Sequence, residues 1–268
     1  MKILLLLCLC FCTTACSLIT PNAYGEKPLF SMRADEVWED RDVAALAKAA
    51  GRNRRGAIDD LLEAGVDIDA RGRGDFTPLY WAFRQTNRRG FEYLLQKGAN
   101  PNALWEHKGS VIHYAATVRD TRFLELCLEY GGDISLIDKN GPLSNWTPLY
   151  FAIGENQLSS VRFLIRAGAK VNERYGGEGT PLTESLQFKQ YRMAYFLLEN
   201  GADPSVRDMH DRDVYYYLNV PGFENIIKSS DRWEWRLKFI ELLESKMQQA
   251  DRARTQPTSV NSGDSQDL

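Results

Sequence analysis

The chain has 268 residues, and its 33 Lys and Arg residues against 36 Asp and Glu residues give a formal net charge of -3 at pH 7. Because this balance provides no basic field, the composition argues against a nucleic-acid-binding protein. Four of the five Cys residues precede residue 17, which excludes a disulfide framework in the rest of the chain.

The amino terminus carries a short apolar run. Residues 3–12 follow a single Lys and are too few to span a bilayer as a folded protein's anchor, so they indicate a secretory signal. The run ends in Thr13-Thr14-Ala15-Cys16, which resembles the lipobox of bacterial lipoproteins, although Thr13 stands where that motif usually has Leu. The alternative is an ordinary signal peptide that is cut nearby.

The lipobox resemblance implies a definite layout and location. Residues 1–15 are then the signal peptide, Cys16 is the lipidated amino terminus, and residues 16–34 form a polar tether. Ser17 beside the lipidated Cys favours the outer membrane, with the chain facing the periplasm. The membrane contact is through the lipid anchor only.

A repeated motif follows at a nearly fixed spacing. Thr77, Ser110, Thr147 and Thr180 each lead a Thr-Pro-Leu-type motif, at intervals of 33, 37 and 33 residues. A threonine hydroxyl caps a helix and Pro suits the first helical position, so each motif predicts a helix start. Apolar pairs followed three residues later by Gly predict the end of a second helix. Those glycines are Gly65, Gly98, Gly131, Gly168 and Gly201.

These residues resemble the ankyrin repeat, with its 33-residue period and Thr-Pro-Leu-His-x-Ala pattern. The resemblance implies an all-α ankyrin-repeat solenoid, built from helix-turn-helix repeats with short β-hairpin-like fingers and about six helix pairs including caps. We assign the domain to residues 35–248. Residues 249–268 have no apolar run and are predicted to be a disordered tail.

The residues that could support catalysis are few and scattered. His113 stands at the histidine position of the ankyrin pattern, so we assign it a structural role, and Cys127 takes a position that is Leu in other repeats. His107 and His210 fall in predicted fingers. Because no nucleophile, base and oxyanion set or metal motif can be assembled, we predict a non-enzyme without cofactor or metal.

Aromatic residues recur at one inner-helix position, at Trp81, Tyr114, Phe151 and Tyr217, with Glu184 as the exception. They either fill the space between repeats or present a binding surface. Phe76 and Trp146 precede the capping Thr, a position that faces the partner-binding groove in ankyrin stacks, and we expect them to be exposed anchors. The complete predicted partner-binding set is Phe76, Trp81, Arg84, Trp105, His107, Tyr114, Leu143, Trp146, Phe151 and Tyr175.

The arrangement as a whole resembles bacterial ankyrin lipoproteins that act as immunity proteins against type VI secretion phospholipase effectors. The features behind this resemblance are Cys16, the Ala34-Asp35-Glu36-Val37 cap and the Trp-rich closing helix. It implies a protein partner, namely a lipase-type toxin effector, and no nucleic acid. The alternative is a general cell-envelope scaffold or stress-protection protein that binds an endogenous partner.

Overall fold

The computed structural model describes residues 32–105, 109–138, 146–174, 179–208, 210–219 and 230–255. Within these ranges the chain forms thirteen α-helices. They are α1 Ala34–Val37, α2 Arg41–Gly51, α3 Arg55–Glu63, α4 Pro78–Arg84, α5 Arg88–Gln96, α6 Val111–Thr117, α7 Arg122–Glu129, α8 Pro148–Gly154, α9 Leu158–Arg166, α10 Pro181–Gln187, α11 Tyr191–Glu199, α12 Val214–Asn219 and α13 Asp231–Thr255.

The helices after α1 form six successive pairs, as predicted. The first helix of each pair is called inner here and the second outer, and inner helices pack on the inner helices of neighbouring pairs. Each inner helix supplies a fully or almost fully buried aliphatic residue to a continuous core, including Leu79, Ile112, Leu149 and Leu182. Burying each of these side chains stabilises the stack by about 2 kcal/mol.

The helix boundaries follow from the residues that predicted them. The Thr77 hydroxyl accepts the N–H of Tyr80 at 3.3 Å, and the Thr180 hydroxyl accepts the N–H of Thr183 at 3.4 Å. At the other end of each pair, glycines such as Gly98 adopt a positive φ, here 96°, which side chains disfavour. Cys127, at a position that is Leu in other repeats, is fully buried, and this burial raises the pKa of its thiol.

The fingers between pairs are closed by equivalent backbone hydrogen bonds. The N–H of Trp105 donates to the carbonyl of Gly109 at 3.0 Å, and the N–H of Asp138 donates to the carbonyl of Trp146 at 3.0 Å. The second link spans four more residues than the first, and residues 139–145 within it lie outside the described residues. Adjacent fingers are bridged by Asn and Asp side chains, as where Asn102 Oδ1 accepts the N–H of Asp133 at 2.8 Å.

The two ends of the domain differ from the sequence-based boundaries. The tether was predicted to run to residue 34, yet Met32 and Ala34 are buried in the core and α1 begins at Ala34. At the other end, α13 continues to Thr255, because the residues after the predicted boundary at 248 include the helix formers Gln249 and Ala250. Residues 249–255 of the predicted tail are therefore helical, and residues 256–268 lie outside the described residues. Among the described residues, no helix is both long and apolar enough to cross a bilayer.

Candidate protein-binding surface

One position of the inner helices forms a line along the stack, which we call the inner-helix stripe. Its members, one per pair, are Lys48, Trp81, Tyr114, Phe151, Glu184 and Tyr217. Lys48, Tyr114, Phe151 and Glu184 are partly exposed, whereas Trp81 and Tyr217 are buried. The accessible aromatic members of the stripe therefore lie in its middle, at the second and third of the repeats that carry the Thr-Pro-Leu-type motif.

Four partly exposed aromatic residues meet around the middle of the stripe, and we call them the aromatic band. They are Trp105, Tyr114, Trp146 and Phe151. The ring centroids of Trp105 and Tyr114 are 4.8 Å apart, those of Tyr114 and Phe151 are 5.8 Å apart, and those of Trp146 and Phe151 are 6.1 Å apart. All four were in the predicted partner-binding set, and the structure brings them into one surface.

Phe76 lies beneath this band rather than on the surface. It is only 5% exposed, with its ring stacked on Tyr80 at 4.4 Å and the edge of Trp105 at 5.1 Å. The prediction that Phe76 is an exposed anchor is wrong, because the Trp105 side chain from the next finger covers it. Tyr80 is equally buried, and this burial raises the pKa of its hydroxyl.

Trp81 and Arg84 contact the chain's own amino-terminal segment. We call residues 32–38 the strap. Trp38 of the strap meets Trp81 edge-on at a centroid distance of 5.6 Å, and the Arg84 guanidinium lies 4.6 Å over the Trp81 ring. Arg84 Nη1 also donates to the Met32 carbonyl at 3.1 Å. The strap therefore leaves Trp81 only 6% exposed, which the sequence did not predict.

A second surface feature lies beyond the band. Glu155, Gln187 and Phe188 at the ends of inner helices line a cleft of about 940 Å³, together with Arg192 and Trp235 of the outer layer. Arg192 lies over the Trp235 ring at 5.4 Å. The cleft carries residues of both charge signs, so its lining does not single out one ligand class. The predicted site residues His107, Leu143 and Tyr175, and the predicted lipidation site Cys16, lie outside the described residues.

His113 and Ser110 form the only histidine–hydroxyl contact among the described residues, with 3.1 Å between Ser110 Oγ and His113 Nδ1. The Ser110 N–H also donates to Nδ1 at 3.1 Å, so the proton is on Nε2, which donates to the carbonyls of Leu136 at 2.9 Å and Trp146 at 3.1 Å. Burial lowers the pKa of His113 to about 4. Because Ser110 and His113 are both fully buried, a substrate cannot reach this pair.

The remaining candidates for chemistry are structural in the same way. Asp208 is buried and accepts hydrogen bonds from Tyr217 Oη at 2.6 Å and Arg212 Nε at 2.6 Å. Burial opposes its ionisation, but these hydrogen bonds outweigh that effect and lower the pKa of Asp208 to about 2. In the part of the chain that the structure describes, no group of three or more His, Cys, Asp or Glu side chains is placed to hold a metal ion.

Comparison with known proteins agrees with this architecture. Residues 110–208 match the family described as ankyrin repeats, in three copies. The fold of the chain is an ankyrin-repeat solenoid, as the sequence predicted. Such solenoids are protein-interaction modules, so the class defined by fold and surface is a protein-binding module.

Solved structures and curated relatives share the repeats. An ankyrin repeat domain from Acinetobacter baumannii AYE is 25% identical, with a TM-score of 0.61 over 75% of this chain and 97% of that chain. The ankyrin repeat domain of Bcl-3 has the same TM-score at 20% identity, over 75% of this chain and 85% of that chain. The nuclear factor NF-kappa-B p105 subunit of Gallus gallus is 33% identical over 158 residues, which are 56% of this chain.

A putative ankyrin repeat protein of Rickettsia bellii is 23% identical over 59% of this chain. The alignments span only 16% of the p105 subunit and 45% of the Rickettsia protein. The likeness is therefore one of repeats, and the functions of those longer proteins do not transfer with it.

Proposed function

We propose that this solenoid is the binding module of a lipid-anchored cell-envelope protein, and that the aromatic band is its main contact surface. The band carries the proposal because Tyr114 and Phe151 come from adjacent inner helices while Trp105 and Trp146 come from adjacent fingers. Large aromatic side chains supply much of the binding energy at protein interfaces, especially when they cluster near the centre of a contact.

The finer proposal is an immunity protein that binds and neutralises a lipase-type effector. Its support is the lipobox-like sequence ending at Cys16 and the resemblance to ankyrin lipoproteins with that role. A solenoid of six helix pairs can present an interface of about 1,600 Å² or more, which is enough to cover an enzyme's active-site entrance or lid. The competing proposal, an envelope scaffold for an endogenous partner, uses the same surface.

The immunity and scaffold proposals differ in the partner that the protein should bind, so a binding experiment can distinguish them. Full-length protein is mixed with a lipase-type effector encoded beside its gene, and both binding and residual lipase activity are measured. Capture with loss of lipase activity supports the immunity proposal. If the effector stays active and unbound while an endogenous envelope protein is captured through the band, the scaffold proposal holds instead.

The role of the band is tested with a matched pair of variants. Trp146→Ala removes a partly exposed band ring and is expected to weaken binding about 30-fold, which corresponds to about 2 kcal/mol. Glu129→Ala changes an exposed residue of the outer helix α7 and is expected to bind normally. Circular dichroism checks that both variants fold. Normal binding by Trp146→Ala and by Phe151→Ala would show that the band is not the contact surface.

A further inference from the structure

Exposed arginines are concentrated on one edge of the solenoid. In each helix pair the inner helix ends and the outer helix begins at the same edge, which we call the turn edge. Neighbouring turns touch, since Asn87 Nδ2 of the second pair donates to the Gly51 carbonyl of the first at 3.0 Å. Six exposed arginines lie in or beside the turns of the first three pairs, and we call them the basic edge. They are Arg52, Arg54, Arg55, Arg88, Arg89 and Arg119.

These arginines are poorly neutralised, although the chain as a whole carries a net charge of -3. Arg88 lies 3.6 Å from Asp120, and within the described part of the chain the other five form no ion pair. Arg55 and Arg88 are also the first residues of outer helices, where the positive end of the helix dipole disfavours cations. Helix stability therefore does not explain the basic edge, whereas an anionic surface facing it would.

The strap begins at this basic edge. Met32 is the first described residue, and its carbonyl accepts a hydrogen bond from Arg84 Nη1 at 3.1 Å. Arg84 is the last residue of α4, so the strap begins at the turn of the second pair, between the turns of the first and third. Cys16 precedes Met32 by sixteen positions. Even a fully extended chain of that length spans only about 55 Å, so a lipid on Cys16 would keep the membrane close to the basic edge.

We infer that the basic edge docks on the anionic phospholipid surface to which the chain is anchored, with its arginines among the lipid phosphates. This inference rests on the proposed lipid anchor and specifies how the anchored domain is oriented. The complementary charge makes the contact favourable, and the anchor raises the effective concentration of the lipid surface, so several weak contacts suffice. An acidic protein would also match the charge, but the start of the strap at the centre of the basic edge favours the membrane.

This orientation leaves the aromatic band free. Trp105 and Trp146 lie on fingers that precede inner helices, whereas the turn edge lies where these helices end. The fingers are therefore at the opposite edge of the solenoid from the basic edge. A domain docked through its arginines holds the aromatic band away from the lipid surface, where a water-soluble effector can reach it.

The test measures vesicle binding without the lipid anchor. Full-length chain carrying Cys16→Ser is sedimented with vesicles of phosphatidylglycerol, which is anionic, or of phosphatidylcholine, which has no net charge. We expect binding to phosphatidylglycerol that salt weakens, and binding to phosphatidylcholine that is at least about 10-fold weaker. Equal binding to both kinds of vesicle, or binding to neither at low salt, would overturn the inference.

A matched pair of double variants locates the contact. Arg54→Gln with Arg89→Gln removes two charges from the basic edge. Each arginine near an anionic lipid surface strengthens binding about 5-fold, so this variant should bind phosphatidylglycerol about 25-fold more weakly. Arg166→Gln with Lys170→Gln removes two exposed charges at the opposite edge and should bind like the original chain. An equal loss in both variants would overturn the inference, because net charge alone would then explain the binding.

The remaining outcome concerns a protein partner. If the Arg54 and Arg89 variant binds vesicles normally but captures the effector less well, the inference is wrong and the basic edge is a protein contact. Effector capture is measured without vesicles, so the proposed binding function can stand when docking fails. A salt wash of the membrane fraction removes a chain held by charge alone, which separates this contact from lipid anchoring at Cys16.

Discussion

His113 Nε2 donates to the carbonyl of Trp146 at 3.1 Å, so a buried imidazole of one repeat holds the residue that precedes the N-cap position of the next inner helix. The same proton also reaches the Leu136 carbonyl. This geometry requires a neutral ring with its proton on Nε2, since the Ser110 N–H already occupies Nδ1. The link between these repeats therefore depends on pH.

The first prediction concerns this pH dependence. The pKa of His113 falls from 6.5 in the unfolded chain to about 4 in the folded chain, so unfolding takes up a proton between these values. The stabilisation is complete above about pH 6.5 and is lost as the pH falls towards 4, by up to about 3 kcal/mol. The free energy of unfolding in urea, measured at a series of pH values from 7 to 4, tests this loss of stability.

The control for this prediction is the exposed His210. His210→Gln should keep the pH dependence of the original protein, whereas His113→Gln should lower stability at pH 7 and flatten the dependence between pH 6.5 and 4. Equal pH dependence in the two variants would contradict the assignment to His113.

The second prediction concerns Asp208. Its pKa is lowered to about 2 from 3.8, so its stabilising contribution is present above about pH 4 and is lost as the pH falls towards 2. Asp208→Asn keeps the shape but removes the charge that Tyr217 and Arg212 bind, and it should cost about 1–2 kcal/mol at pH 7. Guanidinium unfolding at pH 7 measures this loss of stability. An unchanged unfolding midpoint would contradict a stabilising role for the hydrogen bonds that Tyr217 and Arg212 donate to Asp208.

The third prediction compares two helical glycines. A Cβ at Gly90 would lie 1.8 Å from the Ala50 carbonyl oxygen, so Gly90→Ala must separate α5 from α2 and should cost about 3 kcal/mol or more. A Cβ at Gly56 would meet no atom within 4 Å, so Gly56→Ala should stabilise α3 by up to about 1 kcal/mol. The midpoint of thermal unfolding should therefore fall for Gly90→Ala and rise for Gly56→Ala.

The sequence predicted the repeats because their signals are local. A Pro at the first helical position and a Gly after the last turn act within a few residues, so the spacing of Thr77, Thr147 and Thr180 was enough to place the inner helices, although the Thr147 hydroxyl makes no capping hydrogen bond. The structural role of His113 was predicted in the same way, from its position in the repeat motif.

The surface could be predicted only in part, because exposure depends on residues from other repeats. Phe76 was expected to be exposed, but it is covered by Trp105, which lies 29 positions later. Trp81 is covered by Trp38, which precedes the first repeat motif and belongs to no repeated pattern. The sequence indicated a cap at Ala34-Asp35-Glu36-Val37, but a segment without periodicity does not show which residues it contacts, so the contact of Trp38 with Trp81 was not predicted.

The fourth prediction separates Phe76 from Phe151. Phe76→Ala leaves a cavity in the core and should cost about 3–5 kcal/mol of stability. Phe151→Ala removes a partly exposed ring, so it should cost less stability but weaken partner binding. Urea midpoints and a pull-down distinguish the two effects. A larger stability loss for Phe151→Ala than for Phe76→Ala would contradict the burial described for these rings.

The fifth prediction concerns the proposed anchor. Replacing Cys16 with Ser removes the thiol to which lipid is attached, and the protein should then leave the membrane fraction. Acyl chains contribute about 0.8 kcal/mol per buried methylene, so release of the lipidated form is negligible. Fractionation of both forms, with Cys127→Ser as the control, measures this. Retention of Cys16→Ser in the membrane fraction would exclude lipid anchoring at this residue.

The aromatic band spans the junction between the pair α6–α7 and the pair α8–α9, which the hydrogen bonds of His113 also bridge. Fingers on either side are bridged by Asn–Asp links, Asn102 to Asp133 and Asn172 to Asp203, whereas the equivalent positions across this junction are Ser135 and Lys170. As the pH falls towards 4, this junction should weaken, because protonation of His113 removes the acceptor that binds the Ser110 N–H. A partner seated on both Tyr114 and Phe151 would hold the two repeats together, so its binding should reduce this acid sensitivity.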